Sequence, residues 1–240
     1  MINGVDISEF NDNLTPLEIK NAGRTFAILR SSGTFRGKSR TIAGSMYTDA
    51  YYEKAYKLCK ACGLYVGAYH YSTARTVAEG RAEREYMLKL LKGKQFEYPV
   101  FIDVEEPQCK VDGVLSFCET MEKAGYYVGI YANYNYFVNR IKSAKLDRYL
   151  HWLAFWTNSK PNVGFDYGIW QNTSRLNING KTCDGDISYI DYAEIIKKRG
   201  FNGYQPEPSH ALILNNGDSL IFEGISGNNI TFKIVKGGKS

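Results

Sequence analysis

Asp103 and Glu105 stand two residues apart at the end of the run Tyr98-Pro-Val-Phe-Ile-Asp-Val-Glu-Glu-Pro107. The apolar residues before them read as a short strand. On a strand, positions i and i+2 share a face, so the two carboxyls sit side by side while Val104 turns into packing. Two acids crowded at the end of a buried strand cannot both ionise freely; burial and mutual repulsion raise the pKa of at least one. A protonated acid beside an ionised one is the arrangement that glycoside cleavage requires. By itself, a D-x-E spacing more often marks a strand end capped by two solvated acids. The elements around it have to decide.

Those elements alternate. Strands are expected at Ile2–Ile7, Phe26–Arg30, Tyr65–Tyr71, Pro99–Val104 and Tyr127–Tyr131. Between them lie helical patterns: Pro16 to about Asn21, Asp49–Cys62, Val77–Leu91, Val111–Ala124 and a short one at Tyr134–Ile141. Thr15-Pro-Leu-Glu18 carries a capping Thr, a first-position Pro and a first-turn Glu, and Gly63 and Gly125 stop their helices. Bare strands follow at His151–Trp156, Tyr167–Gln171 and Gly185–Ser188, then a helix at Ile190–Arg199. Five strand–helix units followed by three further strands predict an α/β fold, a parallel sheet curled into a modified TIM-like barrel. Chemistry in such barrels sits at the carboxyl ends of the strands. Asp6, Arg30, Tyr69, Tyr71, Asp103, Glu105, Tyr131, Trp170 and Gln171 all fall at or near such ends, and together they form a site candidate. His70 lies between two of the tyrosines and should face away from them, as a packed histidine.

Composition narrows the class. The chain has 240 residues, 44% hydrophobic and 23% charged, with a net charge of +5. That charge is mild and dispersed, with no Lys/Arg run of the kind that binds nucleic acid. It suits a polyanionic surface such as a bacterial wall. The 19 Tyr residues offer apolar faces and hydroxyls, a combination suited to sugar rings. Five cysteines, an odd number, argue against a complete disulfide framework. Cys59-Lys-Ala-Cys62 has redox spacing but lies on an expected helix without a second pair. No His/Cys/Asp cluster has metal-ligand spacing and no Gly-rich phosphate loop is present, so neither metal nor cofactor is expected. No apolar stretch reaches the length of a membrane span, so no membrane insertion is expected. The N-terminal residues do not read as a signal peptide.

Residues 201–240 differ from the rest and are expected to form a linker and a small β appendage beside a barrel of residues 1–200. Gly203, Pro206 and Pro208 mark the linker, and Leu212–Phe222 reads as a hairpin with an Asn-Gly turn, followed by a third strand at Ile230–Val235. About forty residues bury little core alone. Docking on the barrel, self-association, contact with a phage component and wall binding are all readings of this segment.

The chain resembles the family 25 glycoside hydrolases, the lysozymes (muramidases) of bacteria and phages. The matching pieces are Gly4-Val-Asp-Ile-Ser8, Phe26-Ala-Ile-Leu-Arg30, Gly67-Ala-Tyr-His-Tyr71, Tyr98 to Glu105, Gly129-Ile-Tyr-Ala-Asn133, Trp152-Leu-Ala154, Trp170-Gln171 and Asp184-Gly-Asp-Ile187, in the family's order. The resemblance implies a flattened barrel and cleavage of the β-1,4 bond between N-acetylmuramic acid and N-acetylglucosamine in peptidoglycan. It implies four active-site acids: Asp6, Asp103, Glu105 and Asp186. In the mechanism it favours, Glu105 is the general acid. Asp103 is the ionised partner that orients the substrate's acetamido group, and Asp6 and Asp186 hold the surrounding field. Tyr69, Tyr71, Tyr131, Trp152, Trp170 and Gln171 are the candidate sugar contacts, and Arg30 is expected to pair with the acids. Phe155 and Trp156 stand where the family often has Gln and Tyr, and Asn172 where Tyr often follows Trp-Gln; these departures bear on subsite preference. Action would be on the bacterial wall, extracellular or phage-delivered. A non-catalytic peptidoglycan-binding or phage-assembly protein on the same barrel is the alternative.

Overall fold

A computed structural model describes residues 1–35, 45–206, 218–226 and 229–236. In chain order, the first unit carries strands β1 (Ile2–Ile7), β2 (Phe26–Phe35), β3 (Ser45–Thr48), β4 (Tyr65–Tyr71), β5 (Val100–Asp103), β6 (Val128–Asn133), β7 (Leu150–Ala154), β8 (Ile169–Ile178) and β9 (Lys181–Ser188). Its helices are α1 (Pro16–Asn21), α2 (Tyr52–Cys62), α3 (Val77–Leu91), α4 (Val111–Lys123) and α5 (Tyr192–Arg199). A short π turn at Tyr136–Arg140 stands where a short helix was expected. Pairing runs β1-β9-β8-β7-β6-β5-β4-β2, and β2 returns to β1, so eight strands close a barrel with β3 added outside β2. The expected α/β modified barrel is what the chain forms. β9 is antiparallel to both of its neighbours. Among the described residues, no helix is long and apolar enough to cross a membrane.

The helix starts follow the sequence signals. Thr15 and Thr76 each accept from the third backbone N–H of their helix while Glu18 and Glu79 reach back to the cap. β2 runs five residues beyond its expected end, and β3 was not foreseen at all. The reason lies in polar residues that find distant partners. Ser32 and Thr34 meet the two ring nitrogens of His70 at 2.8 and 3.2 Å, and Ser31 donates to the Tyr69 carbonyl at 2.9 Å. A run that reads as a polar loop thus becomes a buried strand, because each hydroxyl is satisfied. His70 is the packed histidine expected, stacked near Phe117 and held neutral by burial, which lowers its pKa to about 3.

Two apolar regions hold the barrel. One lies between the strands and the helices around it. The other includes Phe26, Tyr98, Phe101, Trp152 and Tyr192, with Phe26 stacked on Tyr98 at 4.1 Å and Phe101 edge-on to Trp152 at 5.0 Å. Rings this large fit because glycines face them. A Cβ at Gly4 would overlap the Phe26 ring, and one at Gly129 would overlap the Phe101 ring. Beyond α5, Asn202 is fully buried. Its amide donates to the Phe96 and Tyr98 carbonyls and its carbonyl accepts from the Tyr127 N–H at 2.8 Å.

The chain divides into two compact units, residues 1–207 and 208–240. In the second, β10 (Ser219–Ser226) pairs antiparallel with β11 (Asn229–Val235). The expected Asn-Gly turn lies outside the described residues. The pairing of the two strands ends at Ser226 opposite Asn229. Phe222 and Phe232 face each other across the pair, 5.8 Å apart.

The aromatic filling generates a prediction. Gly129→Ala forces the Phe101 ring to move against Trp152 and brings a methyl within 3.0 Å of the Leu150 carbonyl. It should lower unfolding free energy by about 1–3 kcal/mol in urea denaturation, the range for overpacking a filled core. An unchanged midpoint would show that the interior is not filled as described.

Candidate active site

Strand register gathers the acids. β5 ends at Asp103, which lies between Tyr71 of β4 and Tyr131 of β6. Val104 is fully buried and donates its N–H to the Tyr131 carbonyl, so the extended path continues to Glu105. On the far side of the ring, β1 and β9 pair Asp6 with Asp184 and Gly4 with Asp186. β8 sets Gln171 beside Asp186. The closed sheet thus brings Asp6, Asp103, Glu105, Asp184 and Asp186 to one end, from positions remote in sequence.

An open cleft of about 640 Å³ covers this end, bounded by Phe10, Phe35 and Tyr47 on the β1–β2 side and by Asp6, Asp103, Glu105 and Asp184 at its base. A recess of about 90 Å³ lies among Asp6, Tyr69, Asp103, Glu105, Tyr131, Trp152, Gln171 and Asp184. The cleft is in the size range of ligand sites. Among the described residues, no group of three or more His, Cys, Asp and Glu side chains is placed to hold a metal ion.

Burial sets the electrostatics. Asp103 is 5% exposed and its Oδ1 has no hydrogen-bond partner in the protein. Burial, then repulsion from Glu105, push its pKa well above the carboxylate range, with Arg30 opposing. Glu105 is surrounded by protein on most sides yet exposed at the cleft. Burial raises its pKa, a Tyr131 hydrogen bond opposes that, and Asp184 and Glu106 add to it. Burial thus pushes both carboxyls of the pair upward. Asp6 is raised by burial, then by Asp186 and Asp184. Asp186 is raised to about 8 by burial, against the Trp152 and Asp6 hydrogen bonds. Asp184 is raised to about 6 by burial.

Gln171 ties these groups together. It is 1% exposed and uses both ends of its amide. Nε2 donates to Asp6 Oδ2 at 2.8 Å and to Asp184 Oδ2 at 3.2 Å. Oε1 accepts from the Tyr131 hydroxyl at 3.0 Å and from the Trp156 indole N–H at 3.1 Å. Trp152 is 1% exposed, meets Tyr131 at 4.5 Å between ring centres, and donates its indole N–H to Asp186 Oδ1 at 2.7 Å.

The remaining expected residues divide. Tyr69 and Tyr71 line the cleft, Tyr71 with its hydroxyl donated to Glu106 at 2.6 Å. Tyr131, Trp152 and Gln171 line the recess. Trp170 is 4% exposed and donates its indole N–H to the Phe155 carbonyl at 2.7 Å. Arg30 lines the cleft, but its direct partners are Asp49 at 2.7 Å and Glu9 at 3.1 Å rather than the four acids. Its charge acts on Asp103 only through space. Asp186 borders neither the cleft nor the recess, whereas Asp184 borders both. Asp184 and Glu106 were not singled out from the sequence. The signal for Asp184 was present: Asp184-Gly-Asp186 has the same i, i+2 spacing as Asp103-Val-Glu105.

A pH prediction follows from the raised acids. Between the ordinary aspartate pKa and about 8, the folded state keeps on Asp186 a proton that the unfolded chain releases. Raising pH therefore favours the unfolded chain across that window. His70, lowered by burial, acts in the opposite sense below its ordinary pKa of 6.5. Above about pH 6.5 the acids should dominate. Urea midpoints of the wild-type chain should fall from about pH 6.5 to 8, and Asp186→Asn should make that slope shallower. Equal slopes in the two proteins would contradict the proton assigned to this site.

Comparison with known proteins agrees with the geometry. An autolytic lysozyme of Clostridium acetobutylicum is 27% identical over 167 residues, 68% of this chain and 50% of that protein. The chain thus spans half the length of that relative. The crystal structure of the CTP1L endolysin superposes with a TM-score of 0.71 at 24% identity, covering 83% of this chain and 70% of that one. A bacterial lysozyme from Streptomyces coelicolor superposes with a TM-score of 0.66 at 21% identity, covering 81% and 95%. These likenesses at low identity establish the fold. The sequence profile of the glycosyl hydrolases family 25 matches residues 5–181, and the chain belongs to that family.

Proposed function

We propose that the chain is a lysozyme that hydrolyses the β-1,4 bond between N-acetylmuramic acid and N-acetylglucosamine in bacterial peptidoglycan, acting at the wall. The observation that carries this reading is the Asp103 carboxyl. It is buried at the recess, with one oxygen unpartnered, beside the accessible Glu105. A buried polar atom without a partner is costly, and one that faces a recess is matched by a ligand donor. The N–H of a 2-acetamido group is such a donor. Donation to Asp103 stabilises its ionised form, so binding moves the shared proton onto Glu105.

The chemistry then follows a substrate-assisted course, a known exception to the covalent two-carboxylate route. The acetamido carbonyl oxygen attacks the anomeric carbon as the glycosidic C–O bond breaks. Glu105 gives its proton to the departing sugar oxygen. The carbocation-like charge passes to the resulting oxazolinium ring, which ionised Asp103 stabilises through the ring N–H. Glu105, now a carboxylate, takes a proton from water, and the oxygen of that water adds to the anomeric carbon and reopens the ring. Two displacements give net retention. Asp6, Asp184 and Asp186 hold the field around the pair through Gln171 and Trp152.

Purified peptidoglycan digested by the intact chain should yield new muramic-acid reducing ends, read by mass spectrometry after reduction. Glu105→Gln should lower their rate of release by at least about 100-fold, the usual scale for loss of a general acid. Walls de-N-acetylated at muramic acid should resist cleavage. Full activity of Glu105→Gln would remove Glu105 as the acid, and undiminished cleavage of de-N-acetylated walls would remove the substrate-assisted step. Wall binding with no new reducing ends would favour a non-catalytic role on the same barrel.

A further inference from the structure

Trp156 is out of place for an ordinary surface residue. It is 63% exposed, although it lies only two residues beyond β7 at the acid end of the barrel. Leaving an indole in water forfeits a large hydrophobic gain. The other two tryptophans, Trp152 and Trp170, are buried at 1% and 4% exposure. Trp156 is also held rather than loose. Its indole N–H donates to Gln171 Oε1 at 3.1 Å. The preceding residue is pinned from both sides: the Phe155 N–H donates to the Gln171 carbonyl at 3.2 Å, and the Phe155 carbonyl accepts from the Trp170 indole at 2.7 Å. Phe155, itself partly exposed, packs edge-on against the exposed ring of Tyr134 at 5.7 Å, which follows β6. Tyr134, Phe155 and Trp156 thus form an exposed aromatic ledge held by hydrogen bonds to Gln171 and Trp170.

One buried amide links the ledge to the acid recess. The amide that accepts from Trp156 is the one that donates to Asp6 and Asp184. Since the indole N–H is already committed, Trp156 has only its ring face to offer a ligand. A flat apolar face with no donor to spare matches the CH face of a pyranose ring, and a pre-ordered platform loses little entropy on binding. Taking the proposed glycan substrate as given, we infer that Trp156 is the stacking platform for a β-1,4-linked N-acetylhexosamine of the same strand, on the β6–β7 side of the cleavage point. On this assignment the buried Trp170 and Gln171 serve the glycan indirectly, by fixing the ledge that it stacks on.

The test uses the full chain carrying Glu105→Gln, so that glycan binds without turnover. Iodide quenching of tryptophan emission reports the single exposed indole. Soluble, peptide-free peptidoglycan glycan strands should protect that emission from iodide. Trp156→Ala in the same background should weaken glycan binding roughly ten-fold, the scale for truncating an aromatic anchor, while Trp156→Phe should recover most of the loss. Urea midpoints of the variants report whether the barrel is intact. Unchanged quenching at saturating glycan, which needs no substitution at the ledge, would overturn the assignment; so would unchanged affinity in Trp156→Ala. Hydrolysis by the chain with native Glu105 separates the two readings. Cleavage without protection of Trp156 removes the platform and keeps the lysozyme, and protection without cleavage does the reverse.

Discussion

Gln171 holds apart groups that would otherwise repel. Its amide is saturated, with two donors aimed at Asp6 and Asp184 and an acceptor shared by Tyr131 and Trp156. Turning the amide over would set N–H against N–H at Trp156 and carbonyl against carboxyl at Asp6, so its orientation is fixed by its neighbours. Through this residue the acids of β1 and β9 are joined to the tyrosine beside Glu105 and to the exposed ledge. Proton position, recess shape and the outer binding face thus depend on one buried group. Networks of this kind are costly when partly satisfied and rigid when complete.

The barrel interior makes that network possible. Its aromatic filling, fitted against Gly4 and Gly129, packs closely as an apolar floor. Carboxyls above such a floor lose hydration and hold protons that they would release in solvent. The indole of Trp152 belongs to both parts: its ring packs against Phe101 and Tyr131, and its N–H supports Asp186. Stability is set against function here, since each raised acid makes the folded chain less favourable as pH rises.

Much of this was legible in the sequence, where the signals are local. The D-x-E spacing of Asp103 and Glu105 needs only strand alternation, and the strand–helix rhythm leads directly to a barrel. The helix expected at Val77–Leu91 is α3 with the same bounds. What stayed hidden depends on contacts between distant residues. β3 and the second half of β2 are polar runs made into strands by each other and by His70. Arg30 reads as a partner of the active-site acids, but Asp49 reaches it first, and Asp49 follows β3, which the sequence does not announce. The family resemblance marks Trp170 and Gln171 as sugar contacts, although an aromatic on a barrel strand is otherwise a core residue. Their burial is set by Phe155 and Trp156, which arrive from the neighbouring strand. Asp184 and Asp186 share a face by spacing alone, but which of them borders the cleft depends on the β1–β9 register.

The central claim is that burial at one end of the barrel keeps several carboxyls protonated near neutral pH. Carbon-13 NMR titration of the side-chain carboxyls, assigned with single Asp→Asn and Glu→Gln variants, measures this directly. Asp186 should titrate near 8 and Asp184 near 6, with Asp6 and Asp103 still protonated where surface acids have ionised. If all five carboxyls titrated below about pH 5, as ordinary Asp and Glu do, the account would be contradicted.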